Sequence, residues 1–154
     1  MGGDAVNGDP LRRLEAEHRE ALAALLRLEL AALALEAGAP PEPHLQTVRE
    51  VLAILTTAVR AHNESEEAAL FPVLADQAPS AVFVDEHREL RALEQRLGHE
   101  LDEPRSVRAI AATALAIVEL LRAHITREDE VLFPMARALL GPEGLAAVAR
   151  QLDR

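Results

Sequence analysis

The strongest constraint on what this chain can fold into is a stretch that it writes twice. Arg60-Ala61-His62, Glu66 and Leu70-Phe71-Pro72 return as Arg122-Ala123-His124, Glu128 and Leu132-Phe133-Pro134, with every position at the same internal spacing. In each copy a glutamate follows a histidine by four residues, a step that returns to the same face of a helix one turn on. Each copy is therefore a potential pincer of one imidazole and one carboxylate. A second near-copy, Glu17-His18-Arg19-Glu20 and Glu86-His87-Arg88-Glu89, gives the chain the order His18, pincer, His87, pincer. This is the pattern of a duplicated helical hairpin, each half supplying a lone histidine and a His-x-x-x-Glu.

The rest of the chain reads as helix. Hydrophobic residues make up 49% of it, mostly Ala and Leu, with three Phe and no Tyr or Trp, a composition that favours helices over sheets. A chain of 154 residues suits one domain, expected over 10–154, with 1–9 as a flexible, polar tail. Asp9-Pro10 reads as an N-cap followed by Pro at the first helical position, opening a helix from Leu11 to Ala37. Its stripe is read from Leu14, His18, Leu22, Leu25, Leu26 and Leu33. Gly38-Ala39-Pro40-Pro41 stops it, and a second helix runs from Pro43 at least to Phe71. A third starts around Val82 and closes at Asp102-Glu103-Pro104, and a fourth runs from about Arg105 to Leu132. Gly141-Pro142 then introduces a short helix to about Leu152.

At 1.5 Å per residue, His18 and His62 both fall about 28 Å from the turn between their helices. His87 and His124 match more loosely, with about 7 Å for the turn or a kink to absorb. The expected fold is therefore all-α, an up-down-up-down four-helix bundle with a short C-terminal fifth helix across one end. All four histidines should converge at one level, near the bundle end where the chain begins.

Composition narrows the chemistry. With no Cys, disulfides, thiolate catalysis and cysteine-held metals are excluded, so any metal must use nitrogen and oxygen ligands. The net charge of -10 and the lack of a basic run argue against nucleic acid or an anionic membrane surface as partner. No uninterrupted apolar run approaches the ~20 residues that span a bilayer, and the first residues lack a signal-peptide pattern. Cytoplasm is the expected location.

Four imidazoles and two carboxylates facing an Ala/Leu core are costly unless something satisfies them. Metal does so directly. One ion rarely needs six protein ligands, whereas two ions use all six, with two of His18, His62, His87 and His124 on each and Glu66 and Glu128 shared. With one oxo or hydroxo bridge each ion is five-coordinate and keeps an open position for a small ligand. Imidazole and carboxylate suit iron, manganese or zinc, and a bridged pair at a bundle centre favours iron. A ferritin-type site is the weaker fit. Glu15 and His18 form a Glu-x-x-His, but Val59, Val84 and Leu121 stand at that spacing before the other three histidines.

The order His18, His62-x-x-x-Glu66, His87, His124-x-x-x-Glu128, with its trailing Leu-Phe-Pro, resembles the hemerythrin-like proteins of the HHE cation-binding type, over roughly Pro10 to Leu140. The resemblance implies a four-helix bundle holding two iron ions, with Glu66 and Glu128 as bridges. The oxygen-carrying members have a further histidine one turn away on the third helix. Here Phe83 and Arg91 stand four residues before and after His87, which argues against simple reversible oxygen carriage. His44 and His99 lie about 27 and 18 Å away along their helices and do not fill the gap.

The expected function is a non-heme di-iron protein that binds or reacts with oxygen, nitric oxide or peroxide in sensing, scavenging or detoxification. The alternative is iron storage, sensing or donation for the repair of iron centres. No acid or base beyond the ligands is visible, so no enzymatic activity is assigned, and no protein partner is indicated. Among neighbouring residues, Glu67, Asp129 and Glu130 read as solvated charges. Glu17, Glu20, Glu86 and Glu89 read as surface charges too, although one of each pair could orient a ligand imidazole. Phe71 and Phe133 read as core plugs, and Phe83 as a wall of the small-ligand pocket.

Overall fold

The computed structural model describes residues 9–103 and 106–154. The expected tail over 1–9 lies outside the described residues except for Asp9, and so do Pro104 and Arg105. Helix α1 is Pro10–Glu36; Asp9 caps it by accepting a hydrogen bond from the Leu11 amide, with Pro10 in the first turn. Helix α2 begins as Pro41–Ile54 and continues without a break through Leu55–Val59, Arg60–Ser65 and Glu66–Leu70 to Phe71–Leu74. A short turn, Ala75–Gln77, leads to α3, Ala81–Asp102. Helix α4 is Val107–Arg127 followed by Glu128–Leu132, and it runs on into Phe133–Leu152. That last segment breaks at Gly141, whose φ of 62° and ψ of -173° are open essentially to glycine alone. Beyond it, 142–152 forms the short fifth helix, α5. The third helix reaches Asp102 and the fourth starts only at Val107, so the connection absorbs the looser match between His87 and His124.

Helix α1 packs on α2 and α4, α3 packs on α4, and α2 meets α3, which closes the up-down-up-down ring. The arginine of each doubled stretch ties its helix to the next one around this ring. Arg60 on α2 donates to Glu94 on α3 at 2.8 Å, and Arg122 on α4 donates to Glu29 on α1 at 2.9 and 3.3 Å. Glu94 is buried; burial pushes its carboxyl up, against the opposing pull of Arg60.

The core comes in two parts. The larger fills the bundle from Ala21 and Val59 to the turns, through Leu28, Leu35, Val51, Ile110 and Ile117. The smaller gathers Leu11, Leu14, Leu70, Phe71, Phe83, Leu132 and Phe133 with Val148 of α5 at the end where the chain begins. Between them lies a layer of buried polar side chains. By length and composition Val107–Leu152 could cross a membrane, but its inner face, Ile110, Ala114, Ile117 and Leu121, is packed into the larger core.

The stripe of α1 differs from the expected one. Leu14, His18 and Leu25 are buried, yet Leu22 is half-exposed and Leu26, Leu30 and Leu33 face outward at 51%, 60% and 45% exposure. Ala21, Ala24, Leu28, Ala31, Ala32 and Leu35 take the inner face. Ala111 and Ala114 on α4 are buried in the same core, and small side chains let the paired helices approach closely. Reading the stripe from leucines alone therefore rotated it. Leu28→Ala is expected to cost about 2–5 kcal/mol of stability, and Leu30→Ala within about 0.5 kcal/mol. Urea unfolding of both variants checks which face is inside.

Candidate metal centre

Each doubled stretch ends in Phe-Pro, and the proline shapes the helix before it. Pro72 and Pro134 have no amide proton and their rings crowd the carbonyl one turn back. In both copies the helix responds by widening into a single π-turn, Glu66–Leu70 and Glu128–Leu132, in which the Phe amide donates to the carbonyl of the glutamate. A third π-turn, Leu55–Val59, has no counterpart on α4. There Thr56 and Thr57 donate to the carbonyls of Leu52 and Ala53, competing with the backbone ladder.

The six expected residues meet in the buried layer. His18, His62, Glu66, His87, His124 and Glu128 are all at most 7% exposed. Glu66 spans the gap, with one oxygen 3.4 Å from His62 Nε2 and the other 3.3 Å from His87 Nε2. One oxygen of Glu128 lies 3.1 Å from His18 Nε2 and 3.2 Å from His124 Nε2. Despite these approaches, His18 Nε2, His62 Nε2 and all four carboxylate oxygens have no hydrogen-bond partner. His87 Nε2 and His124 Nε2 face each other at 3.2 Å. So dense a set of orphaned donors and acceptors fits cations, which satisfy several lone pairs at once. Two four-residue groups are close enough to hold one: His18, His62, Glu66 and Glu128, and Glu66, His87, His124 and Glu128.

The outer nitrogens are fixed in a ring. Glu17 on α1 accepts from His62 Nδ1 on α2 at 2.8 Å, and Glu67 on α2 accepts from His87 Nδ1 on α3 at 3.0 Å. Glu86 on α3 accepts from His124 Nδ1 on α4 at 3.0 Å, and Asp129 on α4 accepts from His18 Nδ1 on α1 at 2.7 Å. Every carboxylate in the ring is the sequence neighbour of one of the six. A carboxylate on Nδ1 keeps the proton there and leaves the Nε2 lone pair turned to the centre. Glu67 and Asp129 are thus not the solvated charges that the sequence suggested, whereas Glu130 is exposed. Glu17 and Glu86 take the orienting role left open for one member of each pair. Arg127 also pairs with Glu86.

The protonation pattern follows from burial. Burial pushes the Glu66 carboxyl well above the ordinary carboxylate range, and the neighbouring Glu128 charge pushes the same way. Burial also raises Glu128, but the approach of His124 and His18 outweighs it and holds that group below its ordinary range. The two carboxylates thus oppose each other's charge, and a cation between them would relieve it. Burial likewise pushes the His87 imidazole down, against Glu67, towards the neutral form that can act as a ligand.

The aromatic residues hold the imidazoles from below. Phe133 stacks on His18 at 5.4 Å and 4°, and Phe71 stacks on His87 at 6.2 Å and 19°. Phe83 meets His124 edge-on at 5.3 Å. The plug role expected of Phe71 and Phe133 holds, with ring stacking added. Phe83 does not border the cavity of about 100 Å³ that adjoins the layer on the other side, bordered by His18, His62, His124 and Glu128.

A model of a protein family, described as the hemerythrin HHE cation binding domain, matches residues 9–136. No curated protein matches the chain.

The ring makes a distinguishing prediction. Asp129→Ala and Glu67→Ala should each weaken cation binding roughly 10–100-fold, while Glu130→Ala leaves it unchanged. Metal titration of the three variants, with circular dichroism as a control for helix content, measures this.

Proposed function

This chain belongs to the family of hemerythrin HHE cation-binding domains, and on that footing we propose that it is a non-heme di-iron protein. In this reading it binds or reacts with oxygen, nitric oxide or peroxide, in sensing, scavenging or detoxification. The observation that carries the reading is the pair of four-residue groups that share Glu66 and Glu128. One ion would take His18 and His62, the other His87 and His124, and both carboxylates would bridge, which uses every orphaned atom of the layer. Imidazole and carboxylate at a bundle centre suit iron. Bound there, iron supplies electron exchange and open coordination positions for a small molecule.

The chain's own residues do the remaining work. The four outer carboxylates fix the imidazoles, and Phe71, Phe83 and Phe133 fill the space beneath them. The cavity of about 100 Å³ exceeds the ~10–15 Å³ that admits one water and falls short of the roughly 300–1,000 Å³ of drug-sized sites. That size supports a ligand of a few atoms. Phe83 and Arg91 flank His87 and supply no further ligand, so each ion would have two nitrogens. Reversible oxygen carriage is therefore not part of the proposal. The acidic chain is expected to act in the cytoplasm without a nucleic acid or membrane partner.

The same ligand count favours a second reading, an iron store, sensor or donor, because fewer nitrogens per ion loosen binding. Purified protein is expected to hold about two irons per chain, and the His62→Ala, Glu66→Ala double variant to lose them. A visible spectrum that responds to oxygen, nitric oxide or peroxide supports the first reading. Iron that leaves on prolonged dialysis against a strong chelator, with no such response, supports the second. In either case stripping the metal should lower the melting temperature; a melting temperature indifferent to chelator would count against both.

A further inference from the structure

We propose that Asn63 is the hydrogen-bonding wall of the cavity beside the metal layer and selects a small, uncharged, hydrogen-bonding ligand of the peroxide class. The inference rests on the small-ligand reading above and narrows it.

In the doubled stretch Asn63 follows His62 as Ile125 follows His124. The two equivalent residues line the same cavity. Ile125 is an ordinary member of the larger core at 2% exposure. Asn63 is 6% exposed, yet among the described residues nothing hydrogen-bonds its side-chain amide. The amide makes no bond within the protein, and the second copy shows that an apolar residue serves at this position. Local rules of this kind are broken mainly where function requires it.

The space that Asn63 adjoins tells what would satisfy it. Its amide atoms are not sealed in as the inner nitrogens and carboxylate oxygens of the site are, and the residue borders the cavity next to His62 and His18. An asparagine amide both donates and accepts, so a ligand that does both fits it better than an apolar diatomic. Glu17 and Glu20 border the same cavity, and their charge favours entry of a neutral molecule over an anion. On the opposite side Phe71 and Phe83 pack against His87 and His124.

The test uses Asn63→Ile, which copies the second repeat, and Asn63→Ala, which avoids added bulk. In the metal-free protein at least one of the two should melt at the wild-type temperature or above, because the amide makes no hydrogen bond within the protein. If both melt lower, the amide has a structural role and the inference is overturned. In the iron-loaded, oxidised protein hydrogen peroxide, a neutral molecule that both donates and accepts, is titrated and read by the change in the visible spectrum. Both variants should bind it about 10-fold more weakly, with iron content unchanged. Hydrogen peroxide affinity within twofold of wild type in both variants would sink the inference and leave the small-ligand reading standing. A wild-type protein that holds iron but shows no spectral response to azide, nitric oxide or peroxide removes the small-ligand reading, and the role of Asn63 with it.

Discussion

Six buried ionisable side chains set the terms for this structure. They form a layer between two apolar cores, and the layer is too crowded to satisfy itself. Both carboxylates and two imidazole nitrogens are sealed without hydrogen bonds, where unpaired charge costs several kcal/mol per group in ordinary interiors. The arrangement makes sense when the missing partners are cations, which can meet several lone pairs at once and offset the charge of the two carboxylates.

The ring of outer carboxylates explains how so costly a layer keeps its geometry. On each helix an inward group has, beside it in sequence, one carboxylate that holds the histidine of the next helix. Glu17 beside His18 serves His62, Glu67 beside Glu66 serves His87, Glu86 beside His87 serves His124, and Asp129 beside Glu128 serves His18. No histidine is oriented by its own helix. The centre is thereby coupled to the closure of the whole bundle, and the two hairpins depend on each other: Asp129 reaches into the first and Glu67 into the second.

The duplication is also where symmetry fails. The arginines, histidines, glutamates, leucines, phenylalanines and prolines of the repeat play matching parts in both copies, down to the π-turn that each proline imposes one turn earlier. Two of the exceptions lie at one cavity, and a third lies on the opposite side of the layer. Asn63 stands where the second copy has Ile125, and Leu55–Val59 widens into a π-turn that α4 lacks. Phe83, on α3, stands where α1 has Leu14, and its ring fills the space beneath His124. Two equivalent halves thus present one open and one closed side to a small molecule.

The sequence by itself determined the helices, their order and the six residues of the layer. Helical periodicity, proline and glycine stops and the spacing of His and Glu are local properties, and 1.5 Å per residue is enough to level His18 with His62. It could not tell which leucines of α1 lie inside, because Ala21, Ala24, Ala31 and Ala32 carry an inner face that weaker hydrophobicity conceals. It could not separate Glu67 and Asp129 from Glu130, since all belong to acidic runs and differ only in what stands opposite on another helix. The same holds for Phe83, placed in the ligand pocket by its distance from His87 along one helix and moved out of it by the packing of α3 on α4. Tertiary structure decided these points because each is an interaction between helices, and a burial or a hydrogen bond across the bundle leaves no mark on the spacing within either strand of sequence.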